Sequence, residues 1–402
     1  MALTVLLIII YLAFISLGLP DSLLGSAWPS MYPNMDVPIS YAGIVSMIIT
    51  VGTIVSSLFS DRVIKKFGTG FVTSVSVLMT AGALLGFSVS NKFYMLCLFA
   101  IPLGIGAGSV DVGLNNFVAL NYKAKHMSWL HCFWGVGAMT GPVIMAYFLE
   151  RGYIFQSGYR AIAIIQFILV VVLTVTLPLW KKTSSTNKVG ADKEKCNDTV
   201  QEHKVISKKE LLKLPGVKQV LLAFFCYCGI ESTTGLWGSS FAAMVRGIPA
   251  ETAATWASLF FFGITFGRFI SGFVTLKLNN RQMIRLGEAL IAVGIIMVML
   301  PFGKVTSLVG FIMTGIGCAP IFPSLIHETP QNFGAKYSQS IIGLQMACAY
   351  IGSSVMPPLF GVLASLIGYS IMPFYTGCIL IIMFVMIEIL NRRVDKRGLI
   401  KS

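Results

Sequence analysis

The sequence predicts an all-α integral membrane protein of twelve transmembrane helices in two pseudo-symmetric six-helix halves. Three observations carry that expectation. Apolar residues make up 55% of the 402 residues and charged ones only 11%, with a mean hydropathy of +0.80, a composition suited to a chain whose solvent is lipid. The apolar residues fall into runs long enough to cross a hydrocarbon core about 30 Å thick, which takes about 20 helical residues. Finally, one long hydrophilic stretch, with ten lysines against five acids over residues 181–218, separates two apolar regions of similar length.

Cutting the chain at charges and turn residues gives spans at 4–28, 39–60, 69–89, 93–120, 127–149 and 159–180 in the first half. The second half gives 218–243, 252–276, 283–302, 305–328, 337–361 and 368–390. Residues 337–387 carry no charge over 51 positions, too many for one crossing, so they divide between Gly361 and Gly368. The expected domains are an amino-terminal half at 1–180, a basic linker at 181–217, a carboxy-terminal half at 218–390 and a tail at 391–402. The linker cannot bury enough apolar side chain to fold alone and reads as a solvated strap, with a short surface helix near Ser207 to Leu214.

Orientation follows from lysine and arginine in the loops. Twenty-four of the 30 basic residues fall on one face, among them Arg62, Lys65, Lys66, the ten strap lysines, Arg281 and Arg285. Both termini and the strap are therefore expected in the cytoplasm, with the chain in the inner (plasma) membrane. The net charge of +14 is a topological signal here and not a nucleic-acid footprint. The first span lacks a basic leader and a small-residue cleavage site, so it reads as a retained helix. The eight cysteines lie mostly within apolar runs, and Cys226 and Cys228, two apart, do not make a metal or redox pair; they read as buried thiols.

The halves echo each other: SSLFSDRVIKKFG closes the second span and GRFISGFVTLKLNNRQ the eighth, each a small-residue helix running into a basic turn. Related six-helix halves joined by a long loop are the arrangement of a transporter that rocks about a central site. The chain resembles the major facilitator superfamily over nearly its whole length. Asp61, Arg62, Lys65 and Lys66 fit the family's signature after its second helix, although Ser57 and Ile64 stand where glycines are usual. Within the superfamily, GLPDSLLGSAWP at 18–29, GAGSVDVGLNN at 106–116, LHCFWGVGAMTGP at 130–142 and GIESTTGLWGSSF at 229–241 are most similar to the fucose-permease type of sugar:proton symporter. The resemblance implies the major facilitator fold. It also implies that the acids in the first and fourth helices, Asp21 and Asp111, serve substrate and proton coupling, and that Asp61 and Arg62 serve a gate.

Ionisable residues inside spans cost several kcal/mol unless they face a cavity or a partner, which makes each a functional candidate. Asp21 and Asp111 each follow about eighteen uncharged residues; the alternative role for each is to cap glycine-rich backbone or nearby hydroxyls. Asn115 lies one turn beyond Asp111 on the same face, either as a solute ligand or as glue between helices. His131 and Trp134 open the fifth span on roughly one face, the histidine as relay or interfacial residue, the tryptophan as a stacking platform or membrane anchor. Pro142 with Gly135, Gly137 and Gly141 reads as shaping close packing and bending of the helix. Glu231, near mid-membrane in the seventh span, is the foremost solute-binding candidate, with Trp237 loosely sharing its face and Gln345 as a neutral donor and acceptor. Arg268 needs an anion or a snorkelling route and is grouped with the gate.

Carboxylates, amides and tryptophans together suit a small polar solute such as a sugar, bound by hydrogen bonds and stacking. Proton-coupled uptake of such a solute by a monomer is the leading expectation. Sodium-coupled sugar symport, proton-coupled export of drugs or amphiphiles, and a transport-like receptor or lipid-handling protein are the alternatives; 28 phenylalanines and 19 methionines keep the exporter open. The partners are then the solute, a proton or sodium ion and membrane lipids, with no nucleic acid. No phosphate-binding glycine loop or metal-spaced histidine cluster is present in the sequence, so neither an enzyme nor a cofactor is expected.

Overall fold

A computed structural model describes residues 2–21, 23–38, 41–180, 208–248, 250–300 and 303–396. The strap over 181–207, with Cys196, and the end of the tail lie outside the described residues. Among the described residues the chain is helical with no sheet, and eleven helices are long and apolar enough to cross a membrane. A twelfth, Ala250–Val274, contributes a shorter apolar stretch from Leu259.

The first predicted span is not continuous. It forms α1 (Ala2–Gly18) and α2 (Leu23–Met31), with Leu19, Pro20 and Asp21 between them. Proline has no amide hydrogen and its ring clashes with the preceding turn, so the ladder opens at Pro20 and Asp21 stands at the break. The remaining elements are α3 (Ala42–Phe67), α4 (Thr69–Val89), α5 (Phe93–Asn121), α6 (Ala124–Glu150), α7 (Phe155–Val175) and the four-residue α8 (Lys208–Leu211). Beyond these lie α9 (Val217–Arg246), α10 (Ala250–Val274), α11 (Asn280–Met299), α12 (Lys304–Phe333), α13 (Ala335–Ile367) and α14 (Met372–Asp395).

Several boundaries run past the charges that marked them in the sequence. Asp61, Arg62, Lys65 and Lys66 occupy the last turns of α3, and α13 continues through Pro357 and Pro358 to Gly368. Single glycines separate α3 from α4 and α12 from α13: Gly68 at φ 82°, ψ 153° and Gly334 at φ 86°, ψ 149°. That backbone region is closed to residues with a Cβ, which is why two long helices can meet there without a loop. At the start of α11, Asn279 and Gln282 form a reciprocal cap. At its far end, the Arg246 guanidinium donates to the carbonyls of Val298, Met299 and Leu300, satisfying acceptors the helix leaves open.

The chain divides into two compact units, Met1–Phe117 with Phe133–Leu211, and Val118–Cys132 with Leu212–Ser402. In the first, α4 packs on α7, and Gln166 ties three helices: its amide donates to the Ser16 carbonyl at 2.8 Å and accepts from the Thr80 hydroxyl at 2.8 Å. Small residues set the spacing elsewhere in this unit. A Cβ on Gly104 or Gly108 would overlap the Ile49 or Thr53 carbonyl of α3, and one on Gly137 or Gly141 would overlap the Ile15 or Leu19 carbonyl, the close approach that lipid-embedded helices favour. In the second unit α9 packs against α13 and α14, and α12 against α10 and α11. Residues 118–132 join this unit through the Tyr122 carbonyl, 3.0 Å from His327 Nε2, and the Trp129 indole, which donates to the Phe269 carbonyl.

Candidate functional site

The two units each hold one polar cluster. In the first, the break after α1 lifts Asp21 out of a regular turn, and Gly137 and Gly141 let the break lie directly on α6. Trp134 of α6 then donates its indole N–H to Asp21 Oδ2 at 2.8 Å. Asp111, buried in α5, is near enough to Asp21 for the two carboxyls to act on each other electrostatically. One turn on, the Asn115 amide donates to Asp111 Oδ1 at 2.8 Å and to the Asp111 carbonyl at 2.9 Å. Asn115 is wholly enclosed, so in this structure its amide serves Asp111 and is not presented to a solute. The acids therefore take hydrogen bonds from a neutral indole and a neutral amide, groups that can serve either protonation state of a carboxyl when the amide turns.

In the second unit, Glu231 of α9 faces Arg268 of α10, with Oε2 and Nη2 3.9 Å apart. The guanidinium is 4% exposed and the carboxylate side chain 19%, so the acid is the more accessible partner. Tyr227, one turn before Glu231 and fully buried, lies against both charges, and Cys318 of α12 completes their surroundings. Phe322 closes the cluster on one side, with its ring centroid 4.9 Å from His131, 5.2 Å from Phe224 and 5.8 Å from Tyr227. His131 is 5% exposed and within electrostatic range of Arg268. Thus Arg268, grouped with the gate from sequence, belongs geometrically with Glu231 and His131.

Other candidates lie apart from these clusters. Trp237 donates to the Pro357 carbonyl at 2.9 Å and packs on Phe360 and Tyr369, inside an apolar core. Gln345, fully buried, exchanges hydrogen bonds with Thr329 at 2.9 and 3.1 Å, linking α12 and α13. Asp61 is buried and pairs with Lys65 one turn on, at 3.0 Å, whereas Arg62 projects outward over the Phe59 ring. Toward the ends of the second unit's helices, Arg281 bridges Glu328 at 3.2 Å and Asp395 at 2.8 Å, and Arg285 pairs with Glu388 at 2.9 Å.

Sequence reasoning did not single out Tyr227, Phe322 or Gln166. Tyr227 had a signal, since it stands four residues before Glu231 and so shares its face. Phe322 is one phenylalanine among many in apolar runs, and only tertiary packing distinguishes it. Among the described residues no group of three or more histidine, cysteine or acidic side chains is arranged to hold a metal ion, and the seven described cysteines are free thiols.

Comparison with known proteins agrees with this architecture. The chain is 25% identical over 393 residues to Bypass of stop codon protein 6 of Saccharomyces cerevisiae, covering 90% of this chain and 77% of that one. It is 22% identical over 353 residues to the glucose/mannose transporter GlcP of Bacillus subtilis, covering 87% and 86%. The crystal structure of the major facilitator transporter FucP in the outward conformation superposes with a TM-score of 0.79 at 14% identity, over 97% of this chain and 99% of that one. That likeness carries the fold. The family model for the Major Facilitator Superfamily matches residues 10–355 and 246–400, and on that match the chain belongs to the Major Facilitator Superfamily, a secondary transporter and not an enzyme.

Proposed function

We propose that this transporter carries a sugar or a similarly small polar solute into the cell by alternating access, coupled to proton entry. The observation that carries the reading is the contrast in partners: Asp21 and Asp111 take hydrogen bonds from Trp134 and Asn115, both neutral, while Glu231 faces a buried guanidinium. A carboxyl that accepts from a neutral donor can keep that hydrogen bond when it binds or releases a proton, a property that suits a coupling group. An acid that faces an arginine is suited instead to accept hydrogen bonds from hydroxyls. Asp111 is the first choice as proton carrier and Asp21 the second. Glu231 is the first choice as solute ligand, with His131 as its accessory, and Trp134 is a solute-binding candidate in the first unit beside Asp21. Asp61 and Arg62 are the gate.

The similarity to a glucose/mannose transporter supports the choice of solute class. The loop charges support cytoplasmic termini and a cytoplasmic strap in a multi-pass plasma-membrane protein. Uptake of labelled hexoses into sealed vesicles, with and without a pH gradient, tests the reading. Accumulation that requires an acid-outside gradient is expected; accumulation that follows external sodium at fixed pH would replace the proton by sodium, and hexose-independent drug efflux would overturn symport.

A further inference from the structure

The turn between α5 and α6 belongs to the first half by sequence and to the second unit by packing. Residues 118–132 cluster with Leu212–Ser402, whereas the rest of α5 and α6 lies in the first unit. Each helix passes from one unit into the other without interruption, at 117–118 and at 132–133, and its proline, Pro102 or Pro142, lies away from the crossing. A helix without a proline or bulge at that point resists sharp bending, because a kink opens its hydrogen-bond ladder. Any motion between the units must therefore bend α5 and α6 or part 118–132 from its seat in the second unit.

Two anchors make that seat. At the first, the Tyr122 carbonyl lies 3.0 Å from His327 Nε2, and Asn280 Nδ2 lies 3.1 Å from Nδ1 of the same ring. A carbonyl accepts and an amide nitrogen donates, so the ring donates through Nε2 and accepts through Nδ1, and the two contacts together fix its plane. His327 and Asn280 are both buried, and Asn280 Oδ1 has no hydrogen-bond partner among the described residues, which leaves the bond to His327 as the one that side chain makes. The next residues along form a second rung: Arg281 pairs with Glu328 at 3.2 Å and reaches Asp395 of α14 at 2.8 Å. The histidine is thus held from α11 and aimed at the α5–α6 turn.

At the second anchor, Trp129 lies on one face of α10. Its indole donates to the Phe269 carbonyl, its ring centroid is 5.5 Å from that of Phe273, and a Cβ on Gly272 would overlap the indole. Residues 269, 272 and 273 share a helix face, and Gly272 is the notch in it that admits the ring.

We propose that His327 is a positioning residue of the transport cycle. Oriented by Asn280, it latches the α5–α6 turn to the second unit through the Tyr122 carbonyl in one state and releases it for the other, while Trp129 in the Gly272 notch seats the same turn. A single ring-to-carbonyl hydrogen bond is modest in net strength once both groups can reach water, which suits a contact made and broken in every cycle. The latch uses neither Asp61 nor Arg62. It rests on the reading of alternating access and not on which solute moves.

The test uses the full-length protein in detergent with Ser324→Cys as reporter. Ser324 lies one turn before His327 on the same face and is 3% exposed. Labelling by a water-soluble maleimide is read at position 324 by peptide mass spectrometry, which allows the native cysteines to stay. His327→Leu, which makes neither hydrogen bond, should raise the labelling rate about five-fold, the shift expected from one hydrogen bond. Gly272→Ala, which displaces Trp129 and alters neither His327 nor Tyr122, should also raise it, and decides the matter alone if His327→Leu does not fold. His327→Gln, whose amide can still donate to the Tyr122 carbonyl, should bring the rate most of the way back to that of the reporter protein. An unchanged rate in His327→Leu or in Gly272→Ala would overturn the latch. So would equal rates in His327→Gln and His327→Leu, since the ring would then only fill space. Labelling needs no solute, so failure here leaves the uptake assay to judge the solute and its coupling.

Discussion

The polar clusters of the two units solve the same problem, an acid inside a membrane-spanning protein, by different means. In the first unit the acids stand at a helix break and beside an amide, and backbone proximity does the positioning: α6 lies close enough to α1 for Trp134 to reach Asp21 because Gly137 and Gly141 carry no side chain. In the second the acid is positioned by charge, with Glu231 facing a guanidinium that has almost no access to solvent. The difference teaches what each acid has been given as a neighbour, a neutral donor in one unit and a cation in the other. Trp134 meets the Asp21 carboxyl as a neutral donor, whereas Glu231 sets a negative charge against the Arg268 cation in a medium that penalises isolated charge.

The largest expected effect follows from that pairing. Glu231→Ala should lower unfolding stability by about 3–5 kcal/mol, the cost of removing one partner from a buried pair, read as a fall in thermal midpoint in detergent. Replacing Arg268 by methionine in the same chain should recover part of the loss, because the buried charge is then gone. A Glu231→Ala protein as stable as the wild type would show that the 3.9 Å separation is not an energetically coupled pair.

Next in size is the backbone approach in the first unit. Gly141→Ala places a methyl group on the Leu19 carbonyl and should cost about 1–3 kcal/mol through overpacking. It should also impair transport, since the displaced break carries Asp21. The same substitution at Gly25, where a Cβ meets nothing within 4 Å, should leave stability unchanged. Similar thermal midpoints for the two variants would remove the argument from proximity.

The smallest effect is expected from Trp134→Phe, which deletes the 2.8 Å hydrogen bond to Asp21 and keeps most of the ring. A loss of about 1 kcal/mol, or about five-fold in transport rate, is expected. Initial-rate uptake in proteoliposomes measures it, and an unchanged rate would mean that the indole does not orient the acid.

How much of this could be read from the chain alone depended on the range of the interaction. The twelve apolar runs were legible because lipid demands length and hydrophobicity, both local properties. The Asp111–Asn115 bond was legible too, because four residues along a helix return to the same face. The Asp21–Trp134 bond joins residues 113 positions apart, and no spacing rule reaches that far. The break at Pro20 had its signal in the Gly-Leu-Pro-Asp sequence, but the strong apolar character on both sides favoured one continuous span. Trp237 and Gln345 have the chemistry of solute ligands, yet the folded chain engages them in helix packing; residue type cannot distinguish these uses, since a polar group in lipid needs a partner in either case.

The central claim, that the first unit's acids carry the proton while Glu231 holds the solute, is tested most directly by comparing uphill accumulation with counterflow in proteoliposomes. An asparagine resembles the protonated acid in shape but cannot titrate. Asp111→Asn is therefore predicted to abolish accumulation driven by a pH gradient and to retain counterflow, with Asp21→Asn showing the same pattern more weakly. Undiminished proton-driven accumulation in both aspartate variants would contradict the account.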